Sequence, residues 1–541
     1  MCGIFGVIQS NYNKQECFTS SLHIQPRGPE RSLYTLTENM FLCFHRLAII
    51  NPSPIGDQPF VYESLLANGS RENYYVLCNG QIYNYKSLIK QYLPDVRVKN
   101  DIDAIYYLFE HFYYDFTRLN RELNGEYALV IFKMIDGILK TAWISTDTSS
   151  VRPLFIYTSP NIFAFSSLLI GLSSLSFIDK TKIQRLKGGD IVILQFSNES
   201  HISTELQTTY LVNDGLITSC KYINEISSTL ITETLRQAVQ RRLQSDREIG
   251  CLLSGGLDSS LVAALASLLL PNHQKLKTFS IGMKGGTDLM YARLVADHIN
   301  SEHHEIIFTP EEGLNVINDV IRCCETYDIT TIRASIPQYL LAKWISNHTN
   351  IKVVLNGDGA DECEMGYLYF YNAPDMISAH LDSNRLVDEI HLYDGLRVDR
   401  NISHWGLEAR VPFLDKHFTN LYKSIHPKLK VPIPQQRPEK QLIRNAFKEL
   451  YPNLLPDKVL YRTKEAFSDA VSSREKSWYQ MIQEYITEIH GLTEKEYYRN
   501  QFNTIFGSES SHLIPHYWMP SWSQTNDPSA RTLQVYSEIN E

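Results

Sequence analysis

The second residue of the chain is a cysteine, and this position gives its thiol an unusual chemical option. Removal of the initiator methionine, which is usual when a small residue follows, would leave Cys2 with both a thiol and a free α-amine. An α-amine titrates at about pH 7.7–8.0, so it can serve as the base for the thiol of its own residue. Cys2 is therefore a candidate nucleophile that needs no separate histidine, although a cysteine at this position is more often incidental.

A thiolate that attacks an amide needs donors for the oxyanion and a hold on both ends of its substrate. Asn79-Gly80 follows an apolar run and offers a side-chain amide beside a close backbone N–H. The same dipeptide is also a strong signal for a hairpin turn. Arg46 suits a bidentate bond to an α-carboxylate, and Asp101 suits an α-ammonium. Either residue could instead be an ordinary surface charge.

A second group of residues has the composition of a phosphate-binding loop. Ser254-Gly255-Gly256-Leu257-Asp258-Ser259 lies between an apolar strand pattern and a helical pattern. Glycines let backbone N–H groups approach phosphate oxygens, and a helix N-terminus adds positive potential. Asp258 can hold a divalent cation. The loop matches neither G-x-x-x-x-G-K-[ST] nor G-x-G-x-x-G, and a Ser-Gly-Gly turn alone is a common connector.

An acidic, glycine-rich loop follows a later strand pattern at Val353–Asn356. It reads Asn356-Gly357-Asp358-Gly359-Ala360-Asp361-Glu362. Open α/β sheets bind ligands at the carboxyl ends of their strands, so these carboxylates could share Mg²⁺ with Asp258. A solvated acidic turn is the alternative, and it would be preferred if the first loop were absent.

The elements that must position these residues change character along the chain. Short alternating runs, punctuated by turn residues, fill the first 195 residues and predict a sheet-rich domain. From residue 223 onward, strands alternate with amphipathic helices, which predicts a parallel α/β sheet, and the chain after residue 363 is mainly helical. The predicted boundaries are a first domain at 2–195, a linker at 196–214 and a second domain at 215–541.

Composition excludes several classes of function. The 541 residues include 51 basic and 60 acidic side chains, a net charge of −9, which argues against non-specific nucleic-acid binding. The apolar run Leu261–Leu270 is too short to cross a membrane, and no secretory signal is visible. The nine cysteines form no C-x-x-C pair, so we expect neither a zinc cluster nor a disulfide framework. A reducing, cytoplasmic compartment is the expected location.

The first half of the sequence resembles the class II, or N-terminal nucleophile, glutamine amidotransferases. The resemblance is carried by Met1-Cys2-Gly3-Ile4, Arg27-Gly28-Pro29, His45-Arg46-Leu47-Ala48-Ile49-Ile50 and Asn79-Gly80-Gln81-Ile82-Tyr83-Asn84. It implies that Cys2 releases ammonia from glutamine, and that the fold is a four-layer αββα sandwich. The glutamine-binding residues that it implies are Arg46, Leu47, Ala48, Ile49, Ile50, Asn79, Gly80, Gln81 and Asp101.

The second half resembles the ATP pyrophosphatases through its S-G-G-x-D-S loop. Further matches lie in the segments 326–335, 393–397, 406–415 and 464–469. With these segments included, the chain from residue 2 to about 535 resembles the glutamine-hydrolysing asparagine synthetase family, closest to its eukaryotic-type members. This resemblance implies three substrates, glutamine, aspartate and ATP, with Mg²⁺, and a homodimer as the family's habit. It implies that Asp258 and Asp361 bind Mg²⁺, and that Lys464 and Arg397 neutralise phosphate charge. The implied ATP-binding residues are Leu252, Ser254, Gly255, Gly256, Asp258, Ser259, Ile281, Asn356, Gly357 and Arg397.

The implied reaction has two halves. Cys2 attacks the amide of glutamine, forms a thioester and frees ammonia, and water then releases glutamate. The side-chain carboxylate of aspartate attacks the α-phosphorus of ATP, which gives β-aspartyl-AMP and pyrophosphate. Ammonia then displaces AMP and yields asparagine.

The acidic loop departs from the family pattern, Ser-Gly-Glu-Gly-Ser/Ala-Asp-Glu, at two positions. Asn356 stands in place of Ser, and Asp358 stands in place of a Glu that the family associates with formation and amination of the acyl-adenylate. Aspartate keeps the charge but is one methylene shorter, roughly 1.5 Å. A misplacement of ~1 Å can cost ~10²-fold in rate. We therefore expect a slow synthetase half that Asp358→Glu would speed.

Three alternatives remain open at this point. One is a related ATP-dependent amide-forming or β-lactam-forming ligase with a different acceptor. Another is a binding or regulatory protein that retains the fold without the activity, which the exchange at Asp358 suggests. The last is a synthetase that uses free ammonia only.

Overall fold

The fold is that of a computed structural model. It describes residues 1–9, 11–196, 202–205, 222–271, 274–463, 465, 467–472 and 476–529, with the backbone only at 202–205 and at Asp469. The chain divides into two compact units. The first comprises Met1–Asn213, Ser403–Leu407 and Asn503–Leu513, and the second comprises Asp214–Ile402, Glu408–Phe502 and Ile514–Glu541.

The first unit is built on two six-stranded antiparallel sheets. Their strands, in chain order, are β1 Gly3–Ile8, β2 Arg31–Leu36, β3 Met40–Arg46, β4 Phe60–Leu65, β5 Arg71–Ile82, β6 Gly125–Ile135, β7 Ile138–Thr146, β8 Phe155–Ser159, β9 Ile162–Ser166, β10 Gln184–Arg185, β11 Ile191–Phe196 and β12 Ile202–Glu205. The first sheet has the order β10-β8-β9-β1-β3-β2, and the second has the order β12-β11-β7-β6-β5-β4. One central strand of each sheet, β1 in the first and β6 in the second, is largely apolar and buried, as the alternating runs predict.

Helices cover the outer face of each sheet in this unit. The helices are α1 Lys14–Leu22, α2 Tyr85–Tyr92, α3 Asp103–His111, α4 Phe116–Glu122 and α5 Leu169–Ser173. One core lies between the two sheets and joins residues such as Ile4 and Phe44 to Leu77 and Val130. A second core packs α2 to α4 on the other face of the second sheet, while α1 and α5 pack on the first sheet. The predicted αββα sandwich is confirmed.

The second unit contains a five-stranded parallel sheet of order β15-β14-β13-β16-β17. Its strands are β13 Ile249–Leu252, β14 Lys277–Gly282, β15 Glu302–Ile307, β16 Val353–Leu355 and β17 Glu408–Arg410. The helices before and between these strands are α6 Ser228–Arg242, α7 Leu257–Leu269, α8 Thr287–His298, α9 Pro310–Asn315, α10 Ile317–Cys324, α11 Ile329–His348, α12 Ala360–Glu364, α13 Met376–Asp388 and α14 Asp394–Ser403. The predicted parallel α/β sheet is confirmed.

The described residues after β17 are mainly helical, as predicted. Its helices are α15 Lys416–Ser424, α16 Pro427–Lys430, α17 Gln441–Leu450, α18 Asp457–Leu460, α19 Phe467–Ala470, α20 Trp478–His490 and α21 Glu494–Phe506. No helix in the described ranges is long and apolar enough to span a bilayer. The strand β12 lies inside the segment predicted as a linker, most of which is outside the described residues, so the domain boundaries stay a prediction.

Two local details differ from the sequence-based expectation. The sequence pattern predicts one helix over Glu311–Cys324, but the segment is divided at Val316, whose backbone at φ −100° and ψ 3° is not helical. Asn79-Gly80 does not form a hairpin turn, because both residues lie within β5 and pair with Ala128 and Tyr127 of β6. Cross-strand pairing therefore overrides the local turn preference of this dipeptide.

Candidate active sites

The candidate nucleophile Cys2 lies immediately before β1, in a half-buried position. Its Sγ donates to the carbonyl oxygen of Leu47 at 3.6 Å. The Nε of Arg27, a residue only 1% exposed, donates to the carbonyl oxygen of Cys2 at 3.0 Å. Arg27 therefore holds the backbone of the nucleophile. The sequence marked Arg27 only as part of a motif and gave it no role.

Met1 precedes Cys2 and is buried in the first unit. Its ammonium donates to the carbonyl oxygen of Leu407 at 3.4 Å, and its sulfur contacts Arg27 and Arg152. While Met1 is present, the nitrogen of Cys2 is a peptide nitrogen and has no lone pair available as a base. Removal of Met1 is thus required for the self-activated thiol that the sequence suggests.

Asn79 carries the clearest sign of an absent ligand in this unit. The residue is fully buried in β5, and neither its Oδ1 nor its Nδ2 has a hydrogen-bond partner among the described residues. A buried, unpaired amide is costly, so this group is available to a ligand or an ordered water. The adjacent Gly80 has φ +146°, and a Cβ there would lie 2.1 Å from the carbonyl oxygen of Glu126. Only glycine fits at this point of the strand.

The remaining glutamine-pocket candidates surround the same strand. Asp101 accepts from the backbone nitrogen of Ile82, the last residue of β5, at 2.9 Å. Burial, followed by the charges of Asp101 and Cys2, raises the pKa of the Cys78 thiol well above its ordinary value. Cys2 and Asp101 are thus both within electrostatic range of the residue next to Asn79.

Hydrogen bonds from Arg46, the last residue of β3, hold the loop that follows this strand. The Nη1 of Arg46 donates to Ser53 O at 2.6 Å and to Asp57 Oδ1 at 2.8 Å, and its Nη2 donates to Asn51 O at 2.5 Å. A substrate carboxylate would therefore share this guanidinium with the protein. The other predicted pocket residues in the first unit are Leu47, Ala48 and Ile49, all buried, Ile50, partly buried, and Gln81, buried.

We predict a large effect of Asn79→Ala on glutamine hydrolysis. The variant removes a buried amide that suits an oxyanion, and loss of one such donor costs about 10²–10³-fold in kcat. Glutaminase kinetics check this, with a small change expected in KM. Asn120→Ala in the same unit is a matched control, because the Asn120 amide is fully used inside the protein, by Phe116 O and by Tyr127. Equal losses in both variants would contradict the assignment.

The phosphate-type loop joins β13 to α7 in the second unit. The hydroxyls of Ser254 and Ser259 lie 3.0 Å apart, and Ser259 also accepts from the backbone nitrogen of Ser254 at 3.2 Å. Gly255 has φ +75°, and a Cβ there would lie 2.3 Å from the backbone nitrogen of Ala292. The glycine therefore lets the loop turn tightly against α8.

The acidic loop after β16 lies directly against this first loop. A Cβ at Gly357 would lie 2.6 Å from the backbone nitrogen of Ser259. Asn356 accepts from the backbone nitrogen of Asp358 at 2.9 Å through its side chain, so it shapes the loop. Both loops follow the carboxyl ends of neighbouring strands, β13 and β16, which is where the sequence predicted that they would meet.

One cavity contains most of the predicted nucleotide-site residues. Those that line it are Leu252, Ser254, Gly256, Asp258, Ser259, Ile281, Asn356, Gly357, Asp358, Asp361 and Arg397. Gly255 does not line the cavity but forms the tight turn of the loop between β13 and α7. Lys464 lies outside the described residues, so its predicted role stays a prediction.

A lysine that sequence reasoning missed joins the two loops. Lys440 is almost fully buried, and its Nζ lies 2.6 Å from both Asp258 Oδ2 and Asp361 Oδ1. Burial alone would lower the pKa of Lys440, but the two carboxylates raise it above its ordinary value. Lys440 stands 182 residues from Asp258, so no spacing in the sequence could connect them.

The carboxylates of Asp258 and Asp361 fit a divalent cation. Asp258 Oδ1 is buried without a hydrogen-bond partner among the described residues. Carboxylate oxygens are the ligands that Mg²⁺ prefers, usually one or two of them with substrate phosphates. This donor set therefore suits Mg²⁺ bound together with a nucleotide.

Asp358 is paired with Arg397, the second predicted phosphate-neutralising residue. Arg397 Nη2 lies 2.8 Å from Asp358 Oδ1 and 3.1 Å from Asp394 Oδ1. Burial alone would lower the pKa of Arg397, but Asp358 and Asp394 raise it above its ordinary value. The shorter side chain of aspartate thus still reaches the guanidinium at the cavity wall.

We predict that Asp358→Glu raises the rate of the ATP-dependent half several-fold. The longer side chain moves the carboxylate by roughly 1.5 Å toward the cavity. A displacement of a reacting group by this distance can change the rate by up to ~10²-fold. Pyrophosphate release, measured with saturating substrates, checks this. Asp358→Asn is the companion variant, and it is expected to be slower than the parent. Unchanged or lower turnover of the glutamate variant would contradict the hypothesis.

Two family profiles and several full-length relatives match this chain. A family profile described as asparagine synthase matches residues 230–389 and 383–523, and one described as a glutamine amidotransferase domain matches residues 1–205. Three similar proteins are the glutamine-hydrolyzing asparagine synthetases of Gallus gallus, Bos taurus and Homo sapiens. They are 37%, 36% and 36% identical to this chain over 577, 576 and 573 residues, and in each case 99% of both chains is covered.

These matches extend over both units, including the segment that contains Cys2 and the two loops that contain Asp258 and Asp361. The alignment with the Gallus gallus protein covers 99% of this chain at 37% identity. The chain therefore belongs to the glutamine-hydrolysing asparagine synthetase family.

Proposed function

We propose that this protein makes asparagine from aspartate, with ATP as the activating substrate and glutamine as the nitrogen donor. The observation that supports the proposal is one candidate site in each unit. An orphaned amide near a candidate nucleophile suits amide hydrolysis, and paired loops with an orphaned carboxylate suit a metal-bound nucleotide. The proposed boundaries are an amidotransferase domain at 2–195, a linker at 196–214 and a synthetase domain at 215–541.

In the amidotransferase domain, removal of Met1 frees the α-amine of Cys2 to take the proton of the thiol. The thiolate then attacks the amide carbon of glutamine. Asn79 Nδ2 and the backbone N–H of Gly80 donate to the oxyanion of the tetrahedral intermediate. The C–N bond breaks as the α-ammonium of Cys2 returns the proton, which gives ammonia and a thioester. Water hydrolyses the thioester to glutamate.

The ends of glutamine are held by charges of opposite sign. We assign the α-carboxylate to Arg46 and the α-ammonium to Asp101, with the backbone of residues 47–50 and Gln81 forming the walls. Arg27 fixes the carbonyl of Cys2 and so orients the new N-terminus.

In the synthetase domain, an oxygen of the aspartate side chain attacks the α-phosphorus of ATP, and the bond to the bridging oxygen of pyrophosphate breaks. Leu252 and Ile281 form the apolar wall for adenine. Ser254, Ser259 and the loop N–H groups bind the β- and γ-phosphates. Asp258 and Asp361 would hold Mg²⁺, which neutralises phosphate charge when bound. Arg397 and Lys464 balance the charge that develops at the α-phosphate.

Ammonia then attacks the activated carbonyl carbon, and AMP leaves. Asp358 lies at the wall of the cavity and is held by Arg397, so it is placed to accept a proton from the attacking nitrogen. The products of a full cycle are asparagine, AMP, pyrophosphate and glutamate.

We also propose a homodimer in a reducing, cytoplasmic compartment. None of the eight cysteines that the structure describes is in a disulfide, which suits such a compartment. Light scattering on the purified protein tests the assembly, and a mass equal to one chain would contradict it.

A donor assay tests the proposed function. Purified protein is given Mg-ATP and aspartate, with either glutamine or ammonium, and asparagine, AMP, pyrophosphate and glutamate are measured. The proposal expects one AMP and one pyrophosphate for each asparagine with either donor. Formation of ADP, or of AMP without asparagine, would contradict it. Mass analysis of the intact protein checks that Met1 has been removed.

A further inference from the structure

Arg46, to which we assign the α-carboxylate of glutamine, is already paired with a carboxylate of the protein. Its Nη1 lies 2.8 Å from Asp57 Oδ1, and the two side chains are only 5% and 13% exposed. The same nitrogen donates to Ser53 O. Since an Nη carries two hydrogens, both hydrogens of Nη1 are used inside the protein. A substrate carboxylate must therefore displace Asp57 from this nitrogen or share the guanidinium with it.

Asp57 also contacts a second arginine. Its Oδ2 lies 3.1 Å from Arg31 Nη1, and the side chain of Arg31 is 47% exposed. Arg31 and Arg46 stand directly opposite each other on the paired strands β2 and β3. Like charges in directly opposite positions destabilise a sheet, so the carboxylate of Asp57 compensates a cross-strand pair of cations. The carboxylate of a substrate has the same charge and can take over part of this role.

The backbone on both sides of Asp57 is held close to the glutamine-pocket residues. Gln58 Nε2 donates to Cys78 O at 3.2 Å, and the backbone nitrogen of Cys78 donates to Gln58 Oε1 at 2.6 Å. On the other side, a Cβ at Gly56 would lie 2.2 Å from Arg46 Nη2. Because this backbone is packed against β5 and against the guanidinium, Asp57 can change its partner by rotation of its side chain alone.

The charges indicate which carboxylate each arginine keeps when a substrate arrives. The free site has two guanidiniums and one carboxylate, and a bound substrate makes the numbers equal. A buried guanidinium loses more than an exposed one when it has no anion. Arg46 is the buried member of the pair, and Arg31 is the exposed one. The favourable arrangement therefore places the substrate carboxylate on Arg46 and Asp57 on Arg31.

We propose that Asp57 competes with the α-carboxylate of glutamine for Arg46, and that Arg31 relieves this competition by holding Asp57 while glutamine is bound. Both residues act through Arg46 and not on the reacting amide, so they are positioning residues. The inference rests on the proposed function and deepens it, because it names two residues that determine how much glutamine is needed to fill the first site.

An ion pair that only orients Arg46 for its substrate is the alternative role of Asp57. The two roles differ in sign. Loss of an orienting residue weakens glutamine binding, and loss of a competitor strengthens it. Asp57→Asn separates them, since asparagine has nearly the same shape and keeps an oxygen that can accept from Arg46, but has no charge.

The test uses the full chain with Asp57→Asn, Arg31→Gln and the double variant. Asp179→Asn is the matched control, because Asp179 pairs with Lys182 in an exposed position of the same unit. Each change is made in the parent, for the kcat and KM of glutaminase, and in a Cys2→Ala background, for calorimetric titration with glutamine that is not consumed. The α-amide of glutamine, whose neutral carboxamide replaces the α-carboxylate, is the second ligand in the titration.

We expect Asp57→Asn to tighten glutamine binding and to lower the KM at least about threefold, because an anionic competitor is removed from the guanidinium. The kcat should change by less than about twofold, as for an effect on binding alone. Binding of the α-amide should stay nearly constant, so the preference for glutamine over its α-amide increases. The control should match the parent.

Arg31→Gln should have the opposite effect on glutamine binding, because Asp57 is then left with Arg46 as its one arginine partner of this pair. In the Asp57→Asn background the same change should have little effect, since no carboxylate remains for Arg31 to hold. The double variant therefore measures the coupling between the two residues directly.

Unchanged or weaker glutamine binding in Asp57→Asn would overturn the inference, and so would equal effects of Arg31→Gln in the two backgrounds. If the parent makes asparagine from glutamine in that case, the proposed function stands. If the variants shift binding as expected but the parent makes no asparagine, the proposed function fails and the inference stands. A parent that binds no glutamine would contradict both.

Discussion

Cys2→Ala is expected to abolish glutamine-dependent synthesis of asparagine while ammonia-dependent synthesis continues. The variant keeps the free α-amine and every oxyanion donor but has no nucleophile, so no thioester can form. We expect glutaminase activity to fall by at least about 10³-fold, in line with the loss of a covalent nucleophile. The synthetase domain still receives ammonia from solution.

The measurement is asparagine formation with each donor for the parent and the variant. Cys17→Ala is the matched control, because Cys17 is a buried thiol of α1 in the same unit and has no part in the proposed chemistry. Loss of both donor reactions in Cys2→Ala, with the control active, would contradict the division of labour between the two domains. Retention of glutamine-dependent synthesis would contradict the role of the thiol.

Asp258→Asn is expected to have the second large effect, on the opposite half of the reaction. The variant removes the orphaned carboxylate oxygen and one of the two anionic partners of Lys440. We expect synthesis to fall at least about 10²-fold with either donor, since the charge on the phosphates is no longer neutralised. Glutamine hydrolysis at Cys2 should stay within a few-fold of the parent.

The measurements are pyrophosphate release and its dependence on Mg²⁺ concentration. The variant should need more Mg²⁺ for half-maximal rate, and Mn²⁺ binding in the presence of ATP, followed by electron paramagnetic resonance, should weaken in parallel. Asp457→Asn serves as the control, because Asp457 pairs with Lys448 in an exposed position of the same unit. A normal Mg²⁺ dependence in Asp258→Asn would contradict the assignment of the cation to this carboxylate.

The strongest parts of the fold could be predicted from the sequence because they are local. Apolar or alternating runs with clear ends predict strands at Gly3–Ile8, Ile162–Ser166 and Ile249–Leu253, and the observed bounds of β1, β9 and β13 agree within a residue. The same is true of the loop from Ser254 to Ser259, where strand, glycines and helix start are contiguous in the chain. A short motif can be interpreted from the sequence alone when the strand, turn and helix that shape it are adjacent in the chain.

Elements with weak local patterns are harder to delimit from the sequence. β2 and β4 are half exposed, and their alternation is broken by polar residues. β17, which completes the parallel sheet, has only three residues, Glu408–Arg410, and two of them are buried charges that form an ion pair. Such a segment has no hydrophobic signal, and only its pairing with β16 defines it as a strand.

Prediction of the candidate sites from the sequence has the same limit. Cys2, Asn79, Asp258 and Asp361 could be named as candidates from the sequence because the motifs that contain them are short and specific. Lys440 contributes through contacts that the fold creates, with one partner 182 residues away in the chain. No spacing rule predicts that one ammonium bridges two loops.

The most direct test of the central claim follows one nitrogen atom through the protein. Purified protein with Met1 removed is incubated with Mg-ATP, aspartate and glutamine labelled with ¹⁵N at the amide, and the products are analysed by mass spectrometry and nucleotide chromatography. The account predicts asparagine that carries ¹⁵N in its side-chain amide, with AMP and pyrophosphate formed in equal amounts to it. Unlabelled asparagine, or consumption of glutamine without conversion of ATP to AMP, would contradict it.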